Sequence, residues 1–423
     1  MSLVRSESLQ IFKIRDFRLF ILLRLFLTLG IQMQFSTIYL QIYYEYSKDE
    51  LVLGLIGLAE AIPFIITSFF SGHYVDLIPR KKILLGGTFL LMLGAVFLYF
   101  NAQPTVRFLH EAGLTVMFTV VFIFGIIRSF LGATTNPFLS QIVPRKEYTH
   151  SATWNSTAWH TGAILGPVLA GIIYGFNNSY NAQWCHALEI VLFLVSLFLI
   201  YRISNPGVPD PKEKHESVFE SMRVGLNFVF KNKMVLSAIS LDLFAVLFGG
   251  AVVLIPAFTD KVLGLGPEAY GLLRTMPAIG AVISAFIMAT YPPGKKAGVA
   301  LIWSVVAFGV FTILFGLSTN YWLAAAMLFM TGAFDNVSVV VRHSILQLMT
   351  PNNMRGRVSA INNIFVGSSN EIGAFESGVA AKFLGLVPSI VFGGGMTILV
   401  VFGVHKINPK LKTLNIKELT EII

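Results

Sequence analysis

A chain of 423 residues that is 55% hydrophobic and only 13% charged, with a mean hydropathy of +0.72, is not a water-soluble globule, because an ordinary soluble domain is about a quarter charged. Its 37 Phe and 13% aromatic content call for lipid, and at about 20 residues per span twelve spans take roughly 240 residues, which leaves loops and no sizeable soluble domain. The net charge of +9 is read as basic residues that set membrane topology, not as a nucleic-acid surface, and a lone cysteine, Cys185, excludes a disulfide framework, a zinc cluster or a CxxC pair within one chain.

In chain order, apolar runs bounded by charge, Pro, Gly or Asn predict helices at about 19–43, 52–74, 83–100, 114–139, 160–176 and 185–203. No small-residue cleavage site follows the first run, so it is expected to stay as a helix. A polar stretch from Ser204 to Lys233 follows, with Pro206, Pro209 and Pro211. Six further runs fall at about 234–258, 268–290, 298–317, 321–349, 357–385 and 388–405. The expected plan is an all-α membrane protein of twelve transmembrane helices in two six-helix halves. Residues 1–203 form the first half, 204–233 a linker, 234–407 the second half and 408–423 a tail.

With both termini and the linker on one side, 23 of the 31 Lys and Arg lie on that side. Only Lys48, Arg107 and Lys261 lie opposite, while Arg24, Arg128, Arg274, Arg342 and Lys382 fall inside spans. The positive-inside rule places the richer side, with both termini, in the cytoplasm. Sliding the chain on itself by 207 residues aligns Gly125 with Gly332, Leu139 with Leu346 and Pro144 with Pro351. Asn155, Gly166 and Gly171 then meet Asn362, Gly373 and Gly378 without a gap. Two halves of like topology about an axis along the membrane normal are a plan used by transporters, with the substrate site between the repeats near the midplane.

The loop after the second run carries Gly72, Asp76, Arg80 and Lys81, spaced as in the G-x-x-x-D-R-x-G-R-R/K signature of the major facilitator superfamily, with Leu77 and Pro79 in place of its Arg and second Gly. The sequence is identified as a member of that superfamily. Physically, Gly72 would permit close helix approach, and Asp76 would cap a helix or pair with a cation, while a solvated basic turn that only sets topology is the other reading. Arg128, Gly132 and Pro137 resemble the basic motif of proton-coupled members, and Gly162, Gly166, Pro167 and Gly171 resemble the antiporter motif, which also reads as plain close packing. Phe17, Arg18, Arg24, Gly54 and Pro63 extend the likeness to the start of the chain. DNVSVVVR at 335–342, MRGRVSAINN at 354–363 and SNEIGAFESG at 369–378 resemble the branch that contains the bacterial enterobactin exporter and related drug efflux proteins.

What the resemblance implies is a secondary active transporter of the bacterial inner membrane, exporting an amphipathic small molecule, a siderophore or drug, by alternating access. Protons would be the coupling ion, as in antiporters of multidrug resistance, and the chain would act as a monomer with no cofactor or metal. The rival readings are a polytopic membrane enzyme, disfavoured by the absence of HExxH, P-loop and GxGxxG motifs, and a facilitator of another substrate class. Ionisable residues inside spans cost about 2.5–3.5 kcal/mol each on insertion scales, so each is a site candidate. Asp335 and Glu371, then Asp242 and Glu376, are the proton-coupling candidates; Arg24, Gln32, Gln34, Arg128, Arg274, Arg342 and Asn370 are the substrate-cavity candidates. The repeat makes Arg128 and Asp335 equivalent positions of opposite sign. A fixed ion pair between Asp335 and a nearby Arg, such as Arg342 seven residues on, is the structural alternative.

Overall fold

The computed structural model describes residues 10–178, 180–208, 218–291, 294, 296–351 and 354–415. Twelve long helices carry the described chain: α1 Arg15–Gln41, α2 Glu50–Val75, α3 Arg80–Asn101, α4 Gly113–Ile142, α5 Tyr148–Gly175, α6 Ala182–Arg202, α7 Lys233–Gly249, α8 Pro267–Thr290, α9 Ala297–Gly316, α10 Tyr321–Met349, α11 Arg355–Leu384 and α12 Leu386–Ile407. Eleven of the helical stretches are long and apolar enough to cross a membrane. The exception is α11, whose 30 residues reach about 45 Å, ample for a bilayer, but include Asn362, Asn363, Asn370, Glu371 and Glu376. Its long polar face explains why length and hydropathy disagree there. Phe286, Phe383 and Trp322 are each at least 70% exposed, an apolar exterior that suits lipid.

Helix ends follow local chemistry. The Asn232 and Asn320 side chains accept from Met234 N–H and Trp322 N–H, capping α7 and α10. Gly385, at φ +91°, ends α11 where only glycine turns freely. Beyond Gln41, α1 continues as a π-helical turn, Ile42–Tyr46, closed by Ser47 N–H donating to the Ile42 carbonyl at 2.8 Å. The seventh predicted helix, 234–258, is broken. It stops at Gly249, passes through a 3₁₀ turn at Ala251–Leu254 and restarts as Ile255–Lys261, because Pro256 lacks the N–H that a continuous helix would use. The expected linker is also more ordered than a polar tether, holding a helix over Val218–Lys231, while 209–217 lies outside the described residues.

By packing, the chain divides into two units. The first comprises Met1–Ser47, Ile62–Lys214 and Gly266–Gly271; the second comprises Lys48–Ala61, His215–Leu265 and Leu272–Ile423. Within the first, Gly162 and Gly166 of α5 lie against the α1 backbone at Leu29 and Met33, and Gly171 lies against Gly271. Within the second, Gly373 of α11 lies against Val246 and Leu247 of α7, and Gly378 lies against Gly54. A Cβ on Gly171 would sit 2.9 Å from the Gly271 Cα, and one on Gly378 would sit 2.6 Å from the Gly54 Cα. The 207-residue repeat therefore reappears as the same glycine contacts in each unit, where small residues let backbones meet.

Candidate functional site

In the second unit, Asp242 on α7 and Arg342 on α10 form an ion pair with only 4% and 2% of each residue exposed. The sequence pairing of Asp335 with Arg342 is not what the fold makes. Seven residues of helix separate the two by about 10.5 Å along the axis, too far for contact, whereas α7 brings its carboxylate directly to the guanidinium. Asp335 itself is half-buried and joins no ion pair among the described residues. Glu371 and Glu376 on α11 and Arg274 on α8 are likewise half-buried. Asn370 is exposed and turns its amide onto the Val366 carbonyl of its own helix at 2.8 Å.

The first unit holds the remaining cavity candidates. Arg24 on α1 is half-buried, with its Nε lacking a hydrogen-bond partner among the described residues, and Gln32 packs its Cβ against Gly166. Gln34 exposes no surface; both its amide atoms lack partners among the described residues, and it sits beside Gly94 of α3. The Arg128 guanidinium lies 5.1 Å from the centroid of the Phe64 ring, a cation–π contact. Among the candidates, Asp242 and Arg342 are brought into direct polar contact with each other.

The signature loop does a different job from the one its glycine promised. A Cβ on Gly72 would meet nothing within 4 Å, so close helix approach is not its role here. Asp76 and Arg80 stand 3.9 Å apart. Arg80 N–H donates to the Gly207 carbonyl, and Lys81 Nζ donates to the carbonyls of Tyr201 and Ile203 at 3.0 and 2.6 Å. Lys81 thus caps the C-terminal end of α6, where the helix dipole favours a cation. The Asp16 carboxylate adds bonds from the Ser204 and Asn205 N–H groups, and together these contacts fasten the start of the linker to the first unit.

Two polar clusters escaped the sequence reading. In the first unit, His186 and Glu189 of α6, both fully buried, bond each other at 2.9 Å, and His186 also bonds Gln41. Gln41 and Tyr174 in turn bond Glu45. A His and a Glu three residues apart inside an apolar run were the missed signal. In the second unit three consecutive residues each take a different partner: Lys48 bonds Asp260, Asp49 bonds Lys382 and Glu50 bonds Lys261, at 2.8, 2.6 and 2.6 Å. The hydrogen bond from the Lys382 ammonium holds the Asp49 carboxyl below its ordinary range.

A family model described as the Major Facilitator Superfamily matches residues 20–297, well over half of the chain. The chain belongs to the major facilitator superfamily. It is an integral membrane transporter of that family. The chain is similar to an uncharacterised MFS-type transporter, YkuC, of Bacillus subtilis (strain 168), at 23% identity over 85% of this chain and 84% of that one. It is similar, also at 23% identity, to the enterobactin exporter EntS of Shigella boydii serotype 18, over 78% of this chain and 77% of that one. Among solved structures, the nucleoside transporter NupG matches with a TM-score of 0.73 at 13% identity, covering 93% of this chain and all of that one. A bacterial homologue of the human lysosomal transporter Spinster matches with a TM-score of 0.69 at 14% identity, covering 96% of this chain and 98% of that one. These structural matches establish the fold.

Proposed function

We propose that this transporter is a proton-coupled exporter of an amphipathic small molecule, of the siderophore or drug class, working by alternating access in the bacterial inner membrane with both termini cytoplasmic. The observation that carries the coupling is the Asp242–Arg342 pair buried in two apolar helices. A carboxylate kept in such a place at a cost of several kcal/mol is a carrier whose protonation would release its arginine. Asp335, two turns along α10 from Arg342 and in no ion pair among the described residues, is the first candidate carrier, with Glu371 second and Glu376 behind them. Arg24, Gln32 and Arg128 supply cationic and amide contacts in the first unit, and Arg274 a cation in the second. The export direction draws its support from the relatives named as enterobactin exporters.

The test uses inside-out proteoliposomes with an imposed pH gradient, acidic inside, and two probes: iron-free enterobactin and the cationic dye ethidium. Gradient-driven accumulation of either, abolished by a protonophore and lost in Asp335→Asn with normal protein abundance, is the expected result. Accumulation that ignores the protonophore removes the proton from the mechanism. Failure to move either probe, together with unchanged metabolites in the medium of a deletion strain under iron limitation, removes the export reading.

A further inference from the structure

The polar cluster around His186 has a donor and acceptor order that can be worked out atom by atom. His186 Nε2 lies 3.1 Å from Gln41 Oε1, and an amide oxygen only accepts, so Nε2 carries a hydrogen. Gln41 Nε2 donates to Glu45 Oε2 at 3.2 Å, and the Tyr174 hydroxyl donates to Glu45 Oε1 at 2.8 Å. Across the ring, His186 Nδ1 lies 2.9 Å from Glu189 Oε2. Two lone pairs cannot face each other at that distance, so one proton lies between Nδ1 and the carboxyl, whichever atom it belongs to. The other Glu189 oxygen, Oε1, is buried with no partner among the described residues, on a residue 0% exposed.

Reversing the Gln41 amide gives a second complete set of bonds. Its NH2 then donates to His186 Nε2, the ring carries its hydrogen on Nδ1 and donates to Glu189, and Gln41 Oε1 needs a donor from Glu45, which must now hold the proton. Both arrangements contain the same number of protons. In one the transferable proton sits with His186 and Glu189 in the interior; in the other it sits on Glu45, which is half-buried in the π-helical turn Ile42–Tyr46. A single amide flip and imidazole tautomer separate them. π turns recur at functional sites, and this one brings Glu45 within reach of Gln41, four residues back, and of Tyr174 on α5 together.

We propose that Glu45, Gln41, His186 and Glu189 form a proton-binding site within the first unit, holding one proton at either the half-exposed Glu45 or the buried His186–Glu189 pair. This rests on the proton-coupled reading for its role in transport, but not for its existence. In the proposed topology Glu45 lies at the outer end of α1, where protons enter an exporter that they drive. Among the described residues the cluster has no fixed counter-ion. On α6 the neighbour is Cys185, whose Sγ bonds the Ala170 carbonyl; α5 offers Tyr174, and the short helix Arg107–Glu111 offers His110 toward Glu45. The charged residues of α3, Arg80, Lys81 and Lys82, belong to the far end of α6, as the Lys81 bonds to Tyr201 and Ile203 demonstrate. With one proton on these two carboxylates and a neutral ring, the cluster carries one net negative charge; a second proton makes it neutral, so its charge is set by proton binding alone.

Proton uptake by the purified transporter in nanodiscs, measured by acid–base back-titration and by the infrared band of protonated carboxyl groups, tests the site without any cargo. Glu189→Gln should bind about one proton fewer than wild type across the neutral range and lose a carboxyl band, and Glu45→Gln should do the same without a further loss in the double variant, since the two share one proton. Wild-type uptake in either folded single variant overturns the proposal. Should Glu189→Gln fail to fold, the half-exposed Glu45→Gln still decides it, and Glu189→Asp should restore the band. Gradient-driven ethidium flux, assayed beside the titration, should fall about tenfold in Glu189→Gln. If wild type binds the proton but its flux ignores the gradient, the function proposed above fails and the site stands; if wild-type flux follows the gradient and Glu189→Gln keeps both uptake and flux, the site fails and the function stands.

Discussion

Replacing Asp242 by Leu leaves the Arg342 guanidinium, 2% exposed, buried without its counter-charge. Breaking such a pair from one side costs about 3–5 kcal/mol, roughly two to three and a half powers of ten in the ratio of folded to unfolded protein. Replacing both partners, Asp242→Leu with Arg342→Met, removes two desolvated charges as well as their attraction and should leave stability near wild type or above it by up to about 4 kcal/mol. Detergent-solubilised single and double variants, unfolded by denaturant and followed by tryptophan fluorescence, complete a double-mutant cycle. A coupling well above 1 kcal/mol is expected. A double variant as unstable as the sum of the singles would refute the pairing. If it is stable and still accumulates cargo on a proton gradient, Asp242 is structural and the coupling rests on Asp335 and Glu371.

Gly378→Val should cost about 1–3 kcal/mol in the same unfolding assay, because its Cβ would meet the Gly54 backbone, whereas Gly72→Ala should stay within about 0.5 kcal/mol. Asp49→Asn should lower stability by less than about 1 kcal/mol, the pair with Lys382 being partly exposed and screened by salt. Since the Asp49 carboxyl is held below its ordinary range, that contribution is present above the ordinary carboxylate range and disappears as pH falls through the lowered value, so wild type and variant should converge in acid. Lys81→Met should loosen the chain after α6 and expose residues 203–208 to proteolysis, with a stability loss of about 1 kcal/mol. A cysteine placed at Ser217, outside the described residues, should react with a membrane-impermeant reagent only after the cells are opened; labelling from outside reverses the topology.

Helices were legible because lipid demands a long apolar run and polar clusters must end it. The repeat sharpened this: α4 and α10, shifted by 207 residues, agree to within one residue at both ends. Where local chemistry competes with the run, the reading slipped. Pro256 breaks α7 inside a continuous apolar stretch, and the amphipathic helix Val218–Lys231 hides in a segment whose prolines and charges suggest a tether. Residues 148–159 of α5 look like loop because they are polar, although they continue the helix before the expected start at 160.

The site was less legible, since a sequence reports which charges lie in spans but not which helices bring them together. For Arg342 the sequence offers a countable distance only to its own helix, where Asp335 is the alternative partner, while the partner the fold gives it lies a hundred positions away on α7. The same repeat that fixes the glycine contacts also marks which charges the fold does not require. At the position equivalent to Arg342, the first half has Thr135, and α12, the counterpart of α6, has no ionisable residue between Leu386 and Val404. Two halves of one architecture therefore pack without these groups, each in the place where the other carries them. A backbone requirement would recur with the repeat, as Gly166 and Gly373 do. The Asp242–Arg342 pair and the His186–Glu189 pair do not recur, so their desolvation cost answers to something other than packing, and in a transporter the chemistry open to a buried acid is the binding and release of a proton.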